Sequence, residues 1–123
     1  MLGTVALAVE HDRALLALYV ELLEAKGHRV RVARTAKDAI EQLDLDVDVL
    51  IVDLHSQDSG GAEFLRWLGA HSDYRDMPVL GITPATRNDQ LKLTATLHKP
   101  FAFDTFVATV DSLARTSKRG RRN

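Results

Sequence analysis

The sequence predicts an α/β domain in which helices cover both faces of a five-stranded parallel sheet. Short, nearly continuous apolar runs, typical of strands buried on both faces, alternate with stretches whose apolar residues recur at helical spacing. This strand–helix order repeats five times along the 123 residues. Such alternation favours parallel strands joined by right-handed crossovers. A chain of this length is the usual size of one domain.

The first half of the chain supplies three predicted strands and two predicted helices. Residues 5–9 form a continuous apolar run, whereas 28–33 alternate valine with arginine, so the second strand should be less buried than the first. Gly27 is the predicted C-cap of the first helix and Thr35 the predicted N-cap of the second. Residues 47–53, rich in β-branched side chains, give the strongest strand prediction. The apolar faces of the two helices are formed by Leu15, Leu16, Tyr19, Leu22 and Leu23, and by Ala36, Ala39, Ile40 and Leu43.

The second half supplies two further strands, at 78–83 and, with a weaker pattern, at 93–97. A glycine pair at 60–61 marks the loop before the third helix. Only 10 residues, 83–92, separate the last two strands. A crossover that contains a helix needs at least about 10–12 residues, so this fourth crossover has a shortened or missing helix. The third and last helices are predicted from Phe64, Leu65 and Leu68, and from Phe103, Phe106, Val107, Val110 and Leu113.

Composition excludes several classes of protein. With 46% hydrophobic and 27% charged residues, the chain is neither disordered nor built to span a membrane. The absence of cysteine excludes disulfides, Cys-ligated zinc and thiol catalysis. The N-terminus lacks the basic region of a signal peptide. We therefore expect a cytoplasmic protein without a membrane partner.

Charged residues are distributed unevenly along the chain. Residues 1–114 carry 17 acidic and 11 basic side chains, whereas the last nine residues carry five basic side chains and no acidic one. This predicts a domain over 1–115 and a basic tail or linker over 116–123. A basic tail can contact nucleic acid, but a solvated tail or linker is the simpler interpretation. Nucleic acid is therefore not expected as a partner except through the tail.

Polar residues collect where four of the predicted strands end. Glu10 follows the first strand, Asp53 ends the third, Thr83 ends the fourth and Lys99 follows the fifth. Carboxyl ends of parallel strands share one edge of the sheet. A carboxylate there can attack a phosphoryl group, a hard cation such as Mg²⁺ can offset its charge, and hydroxyl and ammonium groups can hold the phosphoryl oxygens. The set suits aspartyl phosphorylation.

These residues, in register with Gly61 and with the run Lys99-Pro100-Phe101, resemble the receiver domains of response regulators. The resemblance covers roughly residues 4–114. It implies a flavodoxin-like fold with strand order 2-1-3-4-5. It also implies a Lys-Pro bond that is usually cis and a part in two-component phosphorelay signalling.

The resemblance implies a role for each residue at the sheet edge. Asp53 corresponds to the phosphoacceptor. The implied cofactor is Mg²⁺, with Glu10, Asp53 and the backbone carbonyl of His55 as its ligands. Thr83 and Lys99 correspond to the groups that stabilise the phosphoryl group. The implied partners are a histidine kinase or phosphotransfer protein, a second copy of the chain, and a fused or downstream output domain. The implied role is signalling rather than enzymatic.

Three positions depart from the family pattern. His11 stands where the second acid of the metal-binding pair is usual, and imidazole is a poor ligand for Mg²⁺. Asp12, the next residue, is predicted to cap the first helix instead. Gln57 replaces a usual proline. Thr96 occupies the position of an aromatic switch residue, so a rotating aromatic ring cannot report phosphorylation here.

Two interpretations of function stay open. In the first, Asp53 accepts a phosphoryl group and a partner surface changes in response. In the second, the chain is a pseudo-receiver that binds partners independently of phosphorylation, as His11, Thr96 and the short fourth crossover suggest. A nucleotide-binding function is disfavoured because no glycine-rich phosphate loop follows the first strand.

A transition-metal site is a further alternative. His11, His55 and His98 are all placed near the sheet edge and could join Glu10 and Asp53 as ligands. Solvated histidines are the simpler interpretation.

Overall fold

The computed structural model describes residues 3–55, 60–84 and 91–121, and these form a single parallel sheet with helices on both faces. The strand order is β2-β1-β3-β4-β5. Both the predicted fold class and the predicted strand order are confirmed. The elements in chain order are β1 Val5–Val9, α1 Arg13–Glu24, β2 Arg29–Ala33, α2 Ala36–Gln42, β3 Val49–Asp53, α3 Gly61–Gly69, a 3₁₀ turn Ser72–Tyr74, β4 Val79–Thr83, β5 Ala95–His98 and α4 Phe103–Arg121.

Alternation of side chains along the strands builds two cores. On one face of the sheet, β1 and β3 residues such as Leu7 and Val52 pack against α2 and α3, with Phe64 fully buried among them. On the other face, Ile51 and its neighbours pack against α1 and α4. β1 is buried along its whole length, whereas most of β2 is only partly covered, as the valine–arginine alternation predicts.

Side-chain caps fix where the first two helices begin. Asp12 Oδ1 accepts hydrogen bonds from the backbone amides of Ala14 and Leu15 at 2.9 and 3.2 Å, so the predicted capping role of Asp12 is confirmed. Thr35 Oγ1 accepts from the Asp38 amide at 3.1 Å, which confirms the second cap. The C-cap of α1 is Ala25 rather than the predicted Gly27. Gly27 forms the turn two residues later, with a φ of 92° in the left-handed region that favours glycine.

The fourth crossover differs from the others. Pro84 and residues 91–94 are not helical, while 85–90, where the shortened helix is predicted, lie outside the described residues. β5 begins at Ala95, two residues later than predicted. The reason is a contact between neighbouring strands, because the Thr94 hydroxyl accepts the Val79 amide hydrogen at 2.9 Å in place of a strand carbonyl.

The last helix is longer than the charge pattern suggests. α4 runs from Phe103 to Arg121, so residues 116–121, predicted as tail or linker, continue the helix that packs on the sheet. None of the helices in the described part of the chain is both long and apolar enough to span a membrane.

A polar network that begins at the buried His28 ties α4 to the β2 edge of the sheet. His28, only 5% exposed, bonds through Nδ1 to the Thr4 hydroxyl, and its Nε2 lies 3.1 Å from Asp111 Oδ1. Arg115, one turn further along α4, pairs with the same carboxylate. His28 Nε2 is close enough to Asp111 for an ion pair, but it makes no hydrogen bond within the described residues. The sequence alone gave no sign of this link.

Candidate functional site

Parallel pairing brings the polar strand ends together at one edge of the sheet. Val9 is opposite Val52, so Glu10 and Asp53, the residues that follow them, are neighbours across β1 and β3. Asp53 is opposite Ile82, which places Thr83 one position beyond on β4. Glu10, Asp53 and Thr83 are each 2–3% exposed. The structure therefore brings these residues together at one edge of the sheet, as the sequence predicts.

Lys99 links the two buried carboxylates. Its Nζ lies 3.6 Å from Glu10 Oε1 and 3.7 Å from Asp53 Oδ1. The loop that carries it follows β5, and the Lys99-Pro100 bond is cis. The Lys99 side chain is one-third exposed, whereas the side chains of Glu10 and Asp53 are almost completely buried. A single positive charge therefore offsets two carboxylates that would otherwise repel each other in a poorly solvated place.

Burial and neighbouring groups shift the pKa of Glu10 in opposite directions, and the net shift is upward. Burial raises the pKa of its carboxyl group, the Asp12 amide that donates to Oε2 at 3.1 Å lowers it, and the nearby Asp53 carboxylate raises it again. Lys99 provides a smaller lowering effect. Among the described residues, Oε1 has no hydrogen-bond partner, since the Lys99 ammonium is slightly too distant. Buried carboxylate oxygens are normally satisfied, so Oε1 is poised to accept a cation or a donor.

The Asp53 carboxylate is oriented by the loop that follows it. Its Oδ1 accepts a hydrogen bond from the His55 amide at 3.0 Å. Close packing behind the carboxylate comes from Gly61, where a side chain would collide with the Asp53 carbonyl oxygen. This close approach explains why a glycine is present at position 61, after the loop. The predicted metal contact through the His55 carbonyl stays a prediction.

The histidines do not form the transition-metal site considered above. The side chains of His11 and His55 are exposed, and His98 contacts Thr83 instead. No group of three or more metal-ligating side chains occurs in the described part of the chain. At the second acidic position, the His11 carbonyl accepts a hydrogen bond from Arg34 Nε at 2.9 Å.

The donors present fit a magnesium ion with few protein ligands. Mg²⁺ is commonly bound through one or two carboxylates and retains several waters. Glu10, whose Oε1 accepts no hydrogen bond from the described residues, and Asp53 supply two such carboxylates. Asp12, the next acidic residue, is occupied as a helix cap through Oδ1. The geometry therefore accommodates Mg²⁺ through Glu10 and Asp53 without a carboxylate at position 11.

Two features of the site could not be read from the sequence. The Tyr19 ring is buried and stacks on Phe106 at 4.4 Å between ring centroids. Burial, followed by the charges of Glu10 and Asp53, raises the pKa of the Tyr19 hydroxyl. The second feature is the hydrogen bond between Thr83 Oγ1 and His98 Nδ1, at 3.0 Å. Apolar spacing marks Tyr19 only as a core residue, and nothing local marks His98 as a partner of Thr83.

Comparison with known proteins agrees with this geometry. The family model described as the response regulator receiver domain matches residues 6–111. The chain belongs to this family of two-component signalling domains. Receiver domains generally bind Mg²⁺ in an acidic pocket and interact with histidine kinases or phosphotransfer proteins.

Individual relatives are distant but cover most of the chain. The polar-differentiation response regulator DivK of Brucella anthropi is 27% identical over 114 residues, covering 85% of this chain and 90% of the relative. The signal receiver domain of a signal transduction histidine kinase from Syntrophus aciditrophicus has a TM-score of 0.82 at 23% identity, covering 95% of this chain and 94% of the other. The chemotaxis response regulator CheY4 of Vibrio cholerae has a TM-score of 0.78 at 24% identity, with coverages of 90% and 98%. These two structures share the fold.

Proposed function

We propose that this domain accepts a phosphoryl group on Asp53 from a histidine kinase or phosphotransfer protein. The observation that carries the proposal is the position of Lys99 Nζ, 3.6 Å from Glu10 and 3.7 Å from Asp53. Burying a carboxylate without a partner is strongly unfavourable. Two buried carboxylates beside one lysine therefore support a function that needs both of them. Bound Mg²⁺ would supply charge neutralisation, with Glu10 and Asp53 as its protein ligands.

The residues of the chain perform distinct parts of the transfer. A carboxylate oxygen of Asp53 attacks the phosphorus of the donor, a new P–O bond forms, and the bond from phosphorus to the donor's leaving group breaks. Lys99 neutralises charge on the phosphoryl oxygens, and Thr83 donates its hydroxyl hydrogen to one of them. The His55 amide holds Asp53 in orientation through Oδ1. The domain accepts one phosphoryl group per chain and acts as a signalling element rather than an enzyme.

The test is intact-mass spectrometry after incubation with acetyl phosphate and Mg²⁺. Acetate is the leaving group, and the expected product is one labile phosphoryl adduct per chain. Asp53→Asn should abolish the adduct. Asp12→Asn is the matched control, because it removes an acidic residue close to Glu10 while asparagine preserves the helix cap. Thermal unfolding of each variant establishes that it is folded.

A second function is favoured by the exposed His11 and by the capping role of Asp12, which leave a reduced acidic set. In this alternative the domain binds a partner protein without being phosphorylated. A folded wild-type protein that acquires no adduct from acetyl phosphate, with or without Mg²⁺, would favour this alternative and contradict the phosphoacceptor proposal.

A further inference from the structure

Two hydrogen bonds to the end of β2 hold the loop between β1 and α1, which carries Glu10. The Glu10 amide donates to the Ala33 carbonyl oxygen at 3.0 Å, which continues the parallel pairing of β1 with β2. The backbone of β2 goes no further, because Thr35 caps α2. The side chain of Arg34 makes the next contact instead, since its Nε donates to the His11 carbonyl oxygen at 2.9 Å.

The Arg34 bond acts on the same peptide group that holds the Glu10 carboxylate. The His11 carbonyl and the Asp12 amide belong to one peptide unit, which is planar and trans. Arg34 Nε binds the oxygen of this unit, and its N–H donates to Glu10 Oε2 at 3.1 Å. The C=O and the N–H point in opposite directions within one rigid plane, so a bond at the oxygen fixes the direction of the N–H.

The orientation of this peptide plane determines where the Glu10 carboxylate can lie. Half a turn of the plane would bring the carbonyl oxygen toward Glu10 Oε2, and two acceptors repel each other. The carboxylate would then have to move. Its other oxygen, Oε1, lies 3.6 Å from Lys99 Nζ and accepts no hydrogen bond from the described residues. Hydrogen bonds at the two ends of one peptide group also polarise and strengthen each other.

We propose that Arg34 is a positioning residue that sets the orientation of the Glu10 carboxylate through the peptide group between His11 and Asp12. The inference deepens the proposed function and rests on it, because Glu10 is one of the two carboxylates proposed to bind Mg²⁺. The exposed side chain of His11 supplies no second acid, so the orientation of Glu10 has greater weight in this chain. The contact uses the backbone carbonyl of residue 11 and does not depend on an acidic side chain there.

Three variants of Arg34 separate its hydrogen bond from its charge. In Arg34→Gln the side-chain amide nitrogen is as many bonds from the backbone as the arginine Nε, so the bond to the His11 carbonyl is kept while the charge is lost. Arg34→Lys keeps the charge but has a methylene group at the position of Nε. Arg34→Met loses both. Arg31→Met is the matched control on the same strand, because it removes a 2.7 Å bond from Nη1 to the carbonyl of Gln42, the last residue of α2.

The first measurement is the ¹H chemical shift of the Asp12 amide in the metal-free protein. An amide that donates to a carboxylate makes a strong, charge-assisted hydrogen bond and is deshielded. Arg34→Lys and Arg34→Met should both move this signal upfield. Arg34→Gln should restore the wild-type position, and Arg31→Met should leave it unchanged.

The second measurement is the affinity for Mg²⁺, by isothermal titration calorimetry. Arg34→Lys and Arg34→Met should bind Mg²⁺ about fivefold more weakly, the factor that corresponds to one ordinary hydrogen bond. Arg34→Gln should bind at least as tightly as wild type, since the bond is kept and a positive charge that repels the ion is removed. A role of the charge alone predicts another order, with tighter binding in both Arg34→Gln and Arg34→Met and wild-type affinity in Arg34→Lys.

The outcomes separate this inference from the proposed function. An Asp12 amide shift that is the same in wild type and Arg34→Met overturns the inference, whatever the affinity for Mg²⁺. Tighter Mg²⁺ binding in Arg34→Met also overturns it, because the charge then outweighs the hydrogen bond. If folded wild type binds no Mg²⁺, the metal site of the proposed function fails and the inference fails with it.

Discussion

Replacing Gly61 with alanine tests how closely α3 approaches the strand that carries Asp53. Gly61 is the first residue of α3, and a Cβ atom there would collide with the Asp53 carbonyl oxygen and lie 2.9 Å from Val52 Cγ1. Ordinary contacts between carbon atoms are about 3.5–4.0 Å. The obstacle is mainly backbone, which cannot rotate aside, so α3 or the end of β3 has to shift.

The magnitude follows from the kind of obstacle. Overpacking a core typically lowers the free energy of unfolding by about 1–3 kcal/mol, and a clash with a strand carbonyl belongs at the upper end, about 3 kcal/mol. The entropy of unfolding is about 2.1 cal/mol/K per residue, or about 260 cal/mol/K for this chain. Gly61→Ala should therefore lower the Tm by about 12 °C.

Gly69→Ala is the matched control at the other end of the same helix. Among the described residues, no atom lies within 4 Å of a Cβ added at Gly69. Alanine is the better helix former, so its Tm should be unchanged or slightly higher. Both variants are measured by differential scanning calorimetry in one buffer. Equal Tm values for the two variants would refute the close approach between α3 and β3.

Three further predictions concern polar groups whose pKa is shifted in the folded protein. Glu10→Gln should raise the free energy of unfolding by about 1 kcal/mol in urea titrations at neutral pH, because it removes a carboxylate whose pKa is raised mainly by burial. The sign follows from that raised pKa: the ionised form destabilises the fold, so the advantage of the variant should shrink as the pH falls through the folded-state pKa. Tyr19→Phe should leave stability unchanged or raise it by about 1 kcal/mol, since the buried hydroxyl has no hydrogen-bond partner among the described residues and phenylalanine keeps the stacking on Phe106. Asp111→Asn should flatten the loss of stability in acid, because the pKa of Asp111 is lowered, first by its hydrogen bond from Arg115 and further by His28.

The controls for these predictions differ. A Glu10→Gln protein less stable than wild type at neutral pH would contradict the argument from burial. A loss of more than about 1 kcal/mol in Tyr19→Phe would show that the hydroxyl is satisfied after all. For Asp111, stabilisation is present above the unfolded-state pKa and lost as the pH falls through the lowered folded-state value. Parallel acid titrations of wild type and variant would contradict the lowered pKa of Asp111 and the pairing with Arg115 that mainly causes it.

Local patterns in the sequence were sufficient for the fold class. A strand buried on both faces requires a continuous apolar run, so β1, β3 and β4 could be recognised from such runs alone. Caps are equally local, and both Asp12 and Thr35 occupy the predicted positions. The start of β5 was misplaced by two residues because Thr94 satisfies a neighbouring strand with its side chain, which periodicity cannot reveal.

The sequence by itself determined that Glu10, Asp53, Thr83 and Lys99 share one edge, since parallel topology places every strand's carboxyl end there. Only the tertiary structure decided how these groups are paired. The position of Lys99 between two carboxylates and the bond from His98 to Thr83 depend on register and on backbone contacts between residues distant in sequence. The same is true of the His28–Asp111 link, which joins the residue before β2 to a helical residue more than 80 positions away. The spacing of apolar residues predicts which face of a helix or strand is buried. The distances between side chains on different strands are set by the packing of the whole domain.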